Sequence, residues 1–309
     1  MTARLVEVRG EFARARAEWL VTNGAGAYAS STVAGLHTRR HHGLLVASLG
    51  EPLARRAEPR GSIPPLSSAK ARETEREPFG RHVIVSSLDT TLYEEDARGQ
   101  LAHSWELSVH RFPGRDPETT PLWLERFELN PLPTATYRVP RGELTIAYAL
   151  ALGRNTLVVR YDWRGDGPIQ AAVRPLLALR HFHDLSREFG GMQQTLELRA
   201  APGPLPGRMR IRPRKELPPI TFSYRGTFVG SPDWWRRFVF DEERARGLDH
   251  LEDLWTPGVV ELTLGDEPSW LVVSLGEPPL EPPDELFDEA RRAKVSALPS
   301  VVSEPAAHD

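Results

Sequence analysis

Cysteine is absent from the 309-residue chain, and lysine occurs only at Lys70, Lys215 and Lys294. The first absence excludes disulfides, thiolate nucleophiles, iron–sulfur clusters and Cys-containing zinc sites together, and it suits a reducing cytoplasm. Long hydrophobic runs are also missing. Apolar stretches such as residues 146–152 fall far short of the ~20 residues of a spanning helix. The N-terminus mixes Arg4, Glu7, Arg9 and Glu11 with its apolar residues, unlike a signal-peptide core. Nor is there an excess of charge of one sign: 39 basic residues face 42 acidic ones, for a formal net charge of -3. That balance gives no electrostatic footprint for nucleic acid. The expectation is a cytoplasmic protein with neither a nucleic acid nor a membrane as partner.

What the chain has in quantity is proline, 28 of 309 residues, well above the usual ~5%. So much proline disfavours long helices and favours short elements joined by turns. Residues 83–88, 122–129, 144–148, 156–161 and 270–275 are rich in β-branched and aromatic side chains. Each run is bounded by Gly, Pro, Asn or Asp, as strands are. In residues 122–129 neither alternating face is clean, which predicts a strand covered on both sides over part of its length. No helical pattern alternates regularly with the strands, so the fold expected is all-β, mainly antiparallel, a large sandwich with few short helices. Short helices are expected within 11–19 and 241–254, the latter broken by Gly247. The clearest helix spans 284–298, with Asp284 as its cap and Leu286, Phe287, Ala290 and Ala293 on one face. One large core over residues 1–283 and a C-terminal helix with a mobile tail over 284–309 complete the expected organisation.

The densest polar block is Asn23-Gly24-Ala25-Gly26, a turn whose backbone can approach a partner closely, followed by Thr38-Arg39-Arg40-His41-His42-Gly43 before an apolar strand. This array suits a hydroxyl-rich or anionic ligand; the alternative is that its arginines pair with carboxylates at a sheet edge. Gly24-x-Gly26 is no dinucleotide fingerprint, because no helical pattern comes after it. The pairs His41-His42 and His181-x-His183 lack a carboxylate at zinc-site spacing, so no metal and no cofactor are expected. Glu242, Glu243, Glu252 and Asp253 form the nearest thing to a carboxylate cluster. Trp234-Trp235 and Tyr28 are candidate stacking faces for sugar rings, with Tyr28 preferred because it lies inside the polar block. For the other tryptophans core packing is the stronger reading.

These blocks resemble a known family. Trp19-Leu-Val-Thr-Asn-Gly-x-Gly-x-Tyr-Ala-Ser30 and Thr38-Arg-Arg-x-His-Gly-Leu-Leu-Val-Ala47 are similar to the opening of bacterial and archaeal type glycogen-debranching enzymes. Asn155-Thr-Leu-Val-Val-Arg-Tyr161, Arg174-Pro-Leu-Leu-Ala-Leu-Arg180 with His183, Trp234-Trp-Arg-Arg-Phe238, Glu243-x-x-Arg-Gly-Leu-Asp249 and Glu252-Asp-Leu-Trp-Thr-Pro-Gly258 continue in the family's order. The departures are Ala27 where the family has glycine, His41 where it has tyrosine, and residues 51–80, which do not fit the pattern. The resemblance implies a β-supersandwich that supports α-glucan binding without carrying catalysis. In the family an α/α-barrel glucosidase domain supplies the acid and base that cleave α-1,6 branches, and that barrel is expected to lie outside this chain. The implied partners are an α-glucan (glycogen or a maltooligosaccharide) and a separate barrel domain. The alternative is a stand-alone α-glucan-binding module. Asn23, Tyr28, Arg39, Arg40, His42 and Asp253 are the candidate substrate-binding or domain-interface residues, with no catalytic residue among them. Arg40 has two open roles: a donor to sugar hydroxyls, or the ion-pair partner of a carboxylate such as Asp253.

Overall fold

A computed structural model describes residues 4–49, 80–117, 122–193 and 195–297. The sequence departures over 51–80 therefore lie, but for residue 80, outside the described residues, as does the expected tail beyond 297. Among the described residues, seventeen strands form two antiparallel sheets. The larger sheet runs β1 (Arg4–Glu7), β7 (Leu124–Leu129), β8 (Pro133–Val139), β9 (Gly142–Leu150), β10 (Thr156–Gly165), β17 (Ser269–Leu275), β14 (Ile220–Tyr224), β13 (Gly207–Ile211), β12 (Leu196–Ala200). The smaller runs β15 (Thr227–Val239), β16 (Leu251–Leu264), β11 (Ile169–His181), β5 (Gly80–Glu95), β4 (Gly43–Leu49), β3 (Tyr28–Thr32), β2 (Glu18–Thr22), and β6 (Leu101–Glu106) pairs with β5. This is the all-β sandwich expected from the alternation.

The sheets face each other across one core that contains Trp255, Tyr161, Phe127, Phe222 and Leu45, all buried. The mixed pattern of residues 122–129 has a specific cause. Leu124 pairs with Tyr137 and Arg126 with the adjacent Thr136, so Glu125 is an extra residue in β7. A bulge of this kind reverses the facing of the strand residues beyond it, and it brings Leu124 and Phe127, three positions apart, into the same core.

Each sheet has a second apolar face. The outer side of the larger sheet, with Ala147, Ala149, Val158 and Val272, is covered by Leu286, Phe287 and Ala290 of α2 (Pro283–Ser296). The helix begins as a Pro-started helix should, but its N-cap is Pro282 and no side chain caps it. Asp284 instead lies in the first turn, where its charge suits the helix dipole. The outer side of the smaller sheet carries Val46, Val83, Leu176, Ala178, Phe238 and Leu254, with Tyr28, Phe112, Phe182 and Trp235 half-buried around them. Among the described residues no helix lies across it.

The two other expected helices are shorter than their composition suggested. Residues 12–15 make one 3-10 turn, and Trp19 belongs to β2, where its alternation with Val21 buries both. α1 (Asp241–Ala245) stops before Gly247, whose φ of 71° ends the turn, and the chain enters β16 at Leu251. No helix of the described residues is long and apolar enough to cross a membrane.

Candidate functional site

Asn23 closes the β2–β3 hairpin. Its Oδ1 accepts from the N–H groups of Ala25 (2.8 Å) and Ala27 (3.1 Å), and its Nδ2 donates to the Arg154 carbonyl (2.9 Å). Gly24 and Gly26 take φ of 80° and 97°, a region open to glycine at no steric cost. The side chain is buried and its hydrogen-bonding groups are engaged, so Asn23 ties the hairpin of one sheet to the β9–β10 turn of the other. Asn155 does the same from the opposite side, exchanging two 3.0 Å bonds with the backbone of Ser48.

The turn from Thr38 to His42 is held by α1 and by the loop after β11. Arg40 pairs with buried Glu243 (3.0 Å), its N–H also reaches Glu243 (3.3 Å), and its Nη1 donates to the His183 carbonyl (2.9 Å). Of the two roles left open for Arg40, the ion pair with a carboxylate is the one formed, with Glu243 in the place suggested for Asp253. Asp253 accepts backbone N–H groups from Glu188 (3.0 Å) in the loop after β11 and from Arg237 (2.8 Å) at an irregularity of β15, and so ties that loop to the strand. Arg39 lies 2.7 Å from Glu18 and 3.5 Å from Glu242. Behind the turn, Arg180 and Glu252 form a fully buried pair. Glu252 also accepts the Ser186 N–H (2.9 Å), and Arg180 donates to the Arg40 carbonyl (2.8 Å). Both buried carboxylates of the cluster at 242–253 are thus committed to arginines.

His42 lies inside the turn, not on its face. The Thr38 N–H donates to its Nδ1 (3.2 Å), which places the proton of the neutral ring on Nε2. Burial lowers its pKa to about 4, outweighing the opposing pull of Glu18. His37 beside it is also buried, with its pKa pushed well down for the same reason. For Glu243, burial raises the pKa, but the Arg40 side chain and N–H outweigh it and the net shift is downward.

Tyr28 is half-buried rather than exposed. Its hydroxyl donates to the His41 carbonyl (2.9 Å), and the Arg81 guanidinium lies 5.9 Å from its ring centroid. Tyr28, Arg39, Arg40, His41 and His183 therefore come together at one end of the smaller sheet, where the His41 and His183 rings approach to 3.4 Å. Asn23 and Asp253 anchor that region through backbone bonds. Among the described residues no group of three His, Asp or Glu side chains is arranged to hold a metal.

Trp234 and Trp235 separate, because neighbours on a strand face opposite ways. Trp234 is buried in the inter-sheet core, edge-on to Phe189 at 5.7 Å. Trp235 lies on the outer face, with the Arg174 guanidinium 5.4 Å from its ring centroid. Here the outer face carries a groove of about 220 Å³, lined among others by Asp89, His110, Arg174, Trp235, Ala172 and Val259. His110 Nε2 contacts both Asp89 oxygens, at 2.9 and 2.8 Å. Next to Arg174 in this central strand is Pro175, a residue without an N–H. Pairing of β11 with β16 is interrupted between Val173 and Leu177, as proline in a sheet interior requires. Nothing in the spacing of Asp89 and His110 marked them.

The profile of the family described as glycogen debranching enzyme N terminal matches residues 17–57 and 73–270. No curated protein matches the chain. Two solved structures align weakly. A polysaccharide lyase has TM-score 0.28 and 12% identity over 67% of this chain, and a putative kojibiose phosphorylase from human microbiome has 0.26 and 11% over 71%. The chain spans only 27% and 26% of their respective lengths. The family match, which covers most of the chain, is the decisive one: the chain belongs to the glycogen debranching enzyme N-terminal family.

Proposed function

We propose that this sandwich is the non-catalytic support of an α-1,6-glucosidase, docking an α/α-barrel domain and forming one wall of its α-glucan site. The substrate is glycogen or a branched maltooligosaccharide, and the setting is the cytoplasm. The observation that carries the reading is the outer face of the smaller sheet. Its apolar cluster of Val46, Val83, Leu176, Ala178, Phe238 and Leu254 is already buried within the chain, and the surface offered to a partner is the half-buried aromatic rim of Phe112, Phe182 and Trp235 above it. The loops beside it are stiffened by the Arg40–Glu243 and Arg180–Glu252 pairs. A surface fixed in advance loses little conformational freedom on docking. The same commitments leave Glu243 and Glu252 unfit as the two positioned carboxyl groups that glycoside hydrolysis uses.

The test is co-elution of the purified chain with a family barrel domain produced without its own sandwich. Phe182→Asp puts a charge on the margin of the apolar face while leaving the inter-sheet core intact. Co-elution that this variant abolishes supports the reading, and failure of the wild-type chain to co-elute overturns it. The alternative, a stand-alone α-glucan-binding module, is favoured by the polar groove on the same face.

A further inference from the structure

We propose that the groove over Arg174 on the outer face of β11 holds one hexose unit of a saccharide. This deepens the reading of the chain as an α-glucan-site wall, and it rests on residues that the densest sequence block does not contain.

Arg174 and Asp89 are cross-strand partners, so their side chains rise from the same face within reach of each other. They nevertheless form no ion pair. Both Asp89 oxygens are taken up by His110, with Ser87 Oγ a further donor at 2.8 Å. Among the described residues Arg174 has no carboxylate partner; its guanidinium is held against the Trp235 ring. A half-buried guanidinium fixed in place, with its N–H donors uncommitted among the described residues, is prepared for a ligand. Opposite it, the Asp89 carboxylate is oriented by His110, and its Oδ2, which accepts only from that histidine among the described residues, keeps one lone pair for a ligand.

The composition of the groove selects the ligand. Arg174 and Arg115 line it together with Asp89 and Glu106. An anion would meet those two carboxylates, and a cation the two guanidinium groups. A neutral polyhydroxyl uses both kinds of group, since each hydroxyl donates and accepts. Ala172 and Val259 supply apolar lining for the C–H face of a sugar ring. The volume of about 220 Å³ is below the ~300–1,000 Å³ of sites that enclose drug-sized ligands, which limits the fit to one ring with its neighbours outside. Trp235 acts by holding Arg174, not as the stacking platform.

The experiment is calorimetric titration of the full chain with maltotriose, and separately with inorganic phosphate, using wild type, Arg174→Gln, Asp89→Asn and Arg40→Gln, with a thermal melt of each. The expected result is a maltotriose Kd on the order of 1 mM, about -4 kcal/mol. Arg174→Gln and Asp89→Asn should each weaken it at least tenfold, Arg40→Gln should not, and phosphate should give no heat. Trp235→Phe serves if Arg174→Gln does not fold: it loosens the guanidinium without removing it and should weaken binding severalfold. Maltotriose binding that survives Arg174→Gln but is lost in Arg40→Gln overturns the groove and leaves the α-glucan reading standing. Phosphate binding in place of sugar, or no saccharide binding at all, overturns the groove, while docking of the barrel is judged separately by co-elution.

Discussion

Replacing Glu252 by glutamine should destabilise the sandwich by about 3–5 kcal/mol, the usual cost of removing one partner from a buried ion pair. The substitution keeps the volume and one acceptor, so it creates no cavity. What it leaves is the Arg180 guanidinium, only 4% exposed at its side chain, without its counter-charge. Arg180 keeps hydrogen bonds to backbone carbonyls, among them that of Arg40 at 2.8 Å, which hold the figure toward the lower end. At roughly 2 °C per kcal/mol for a chain of this size, Tm should fall by about 6–10 °C. A double-mutant cycle with Arg180→Met isolates the pair, because removing both charges spares the uncompensated one. The double variant should be closer to wild type than Glu252→Gln alone. Chemical denaturation of the four proteins measures this. A Glu252→Gln variant within 1 kcal/mol of wild type, or strictly additive single changes, would refute the assignment of Glu252 as a buried counter-charge.

Three further outcomes rest on the same geometry. Arg40→Ala should lower stability by about 2–4 kcal/mol by stranding Glu243 and leave maltooligosaccharide affinity unchanged, which a melt and a titration on one preparation would check. Asn23→Ala removes three hydrogen bonds that fix the hairpin and join the sheets and should cost on the order of 2 kcal/mol, read as a shifted urea midpoint with unaltered sugar binding. Acid should weaken the fold between pH 6.5 and 4. His42 has a folded pKa of about 4 against 6.5, so the unfolded chain binds the proton first. The stabilisation of about 3 kcal/mol is full above pH 6.5 and is lost as pH falls through the folded value. Glu243, whose folded pKa is also depressed, adds a loss at the carboxylate end of that range. Melts of wild type and His42→Gln from pH 7.5 to 4 should show a shallower slope in the variant, and parallel curves would contradict the assignment.

The strands were legible because alternation and turn residues are local signals. Residues 156–161 and 270–275 read as strands and are β10 and β17, paired in register. The helix over α2 was legible from its paired prolines and apolar face. What could not be read depends on contacts distant in sequence. Arg40 finds Glu243, 203 positions away, instead of Asp253, because α1 carries Glu243 under the 38–42 turn while Asp253 spends its oxygens on backbone N–H groups. The bulge at Glu125 and the break at Pro175 change which side chains share a face, and no periodicity count anticipates them. His42 belonged to a conspicuous polar run, yet its ring turns inward to accept the Thr38 N–H. Tyr28 was the obvious aromatic of the polar block, and Trp235, half-hidden in a tryptophan pair, is the one that lines the groove.

The central claim is that this sandwich supports a catalytic barrel and does not itself cleave glucan. Glucose release from a branched limit dextrin should be measured with the chain alone, with a family barrel domain lacking its own sandwich, and with the two combined. The account predicts no release by the chain alone and a rate for the mixture at least tenfold above that of the barrel alone. Release by the purified chain that disappears on changing a single carboxylate, or a barrel rate that the chain leaves unaltered, would contradict it.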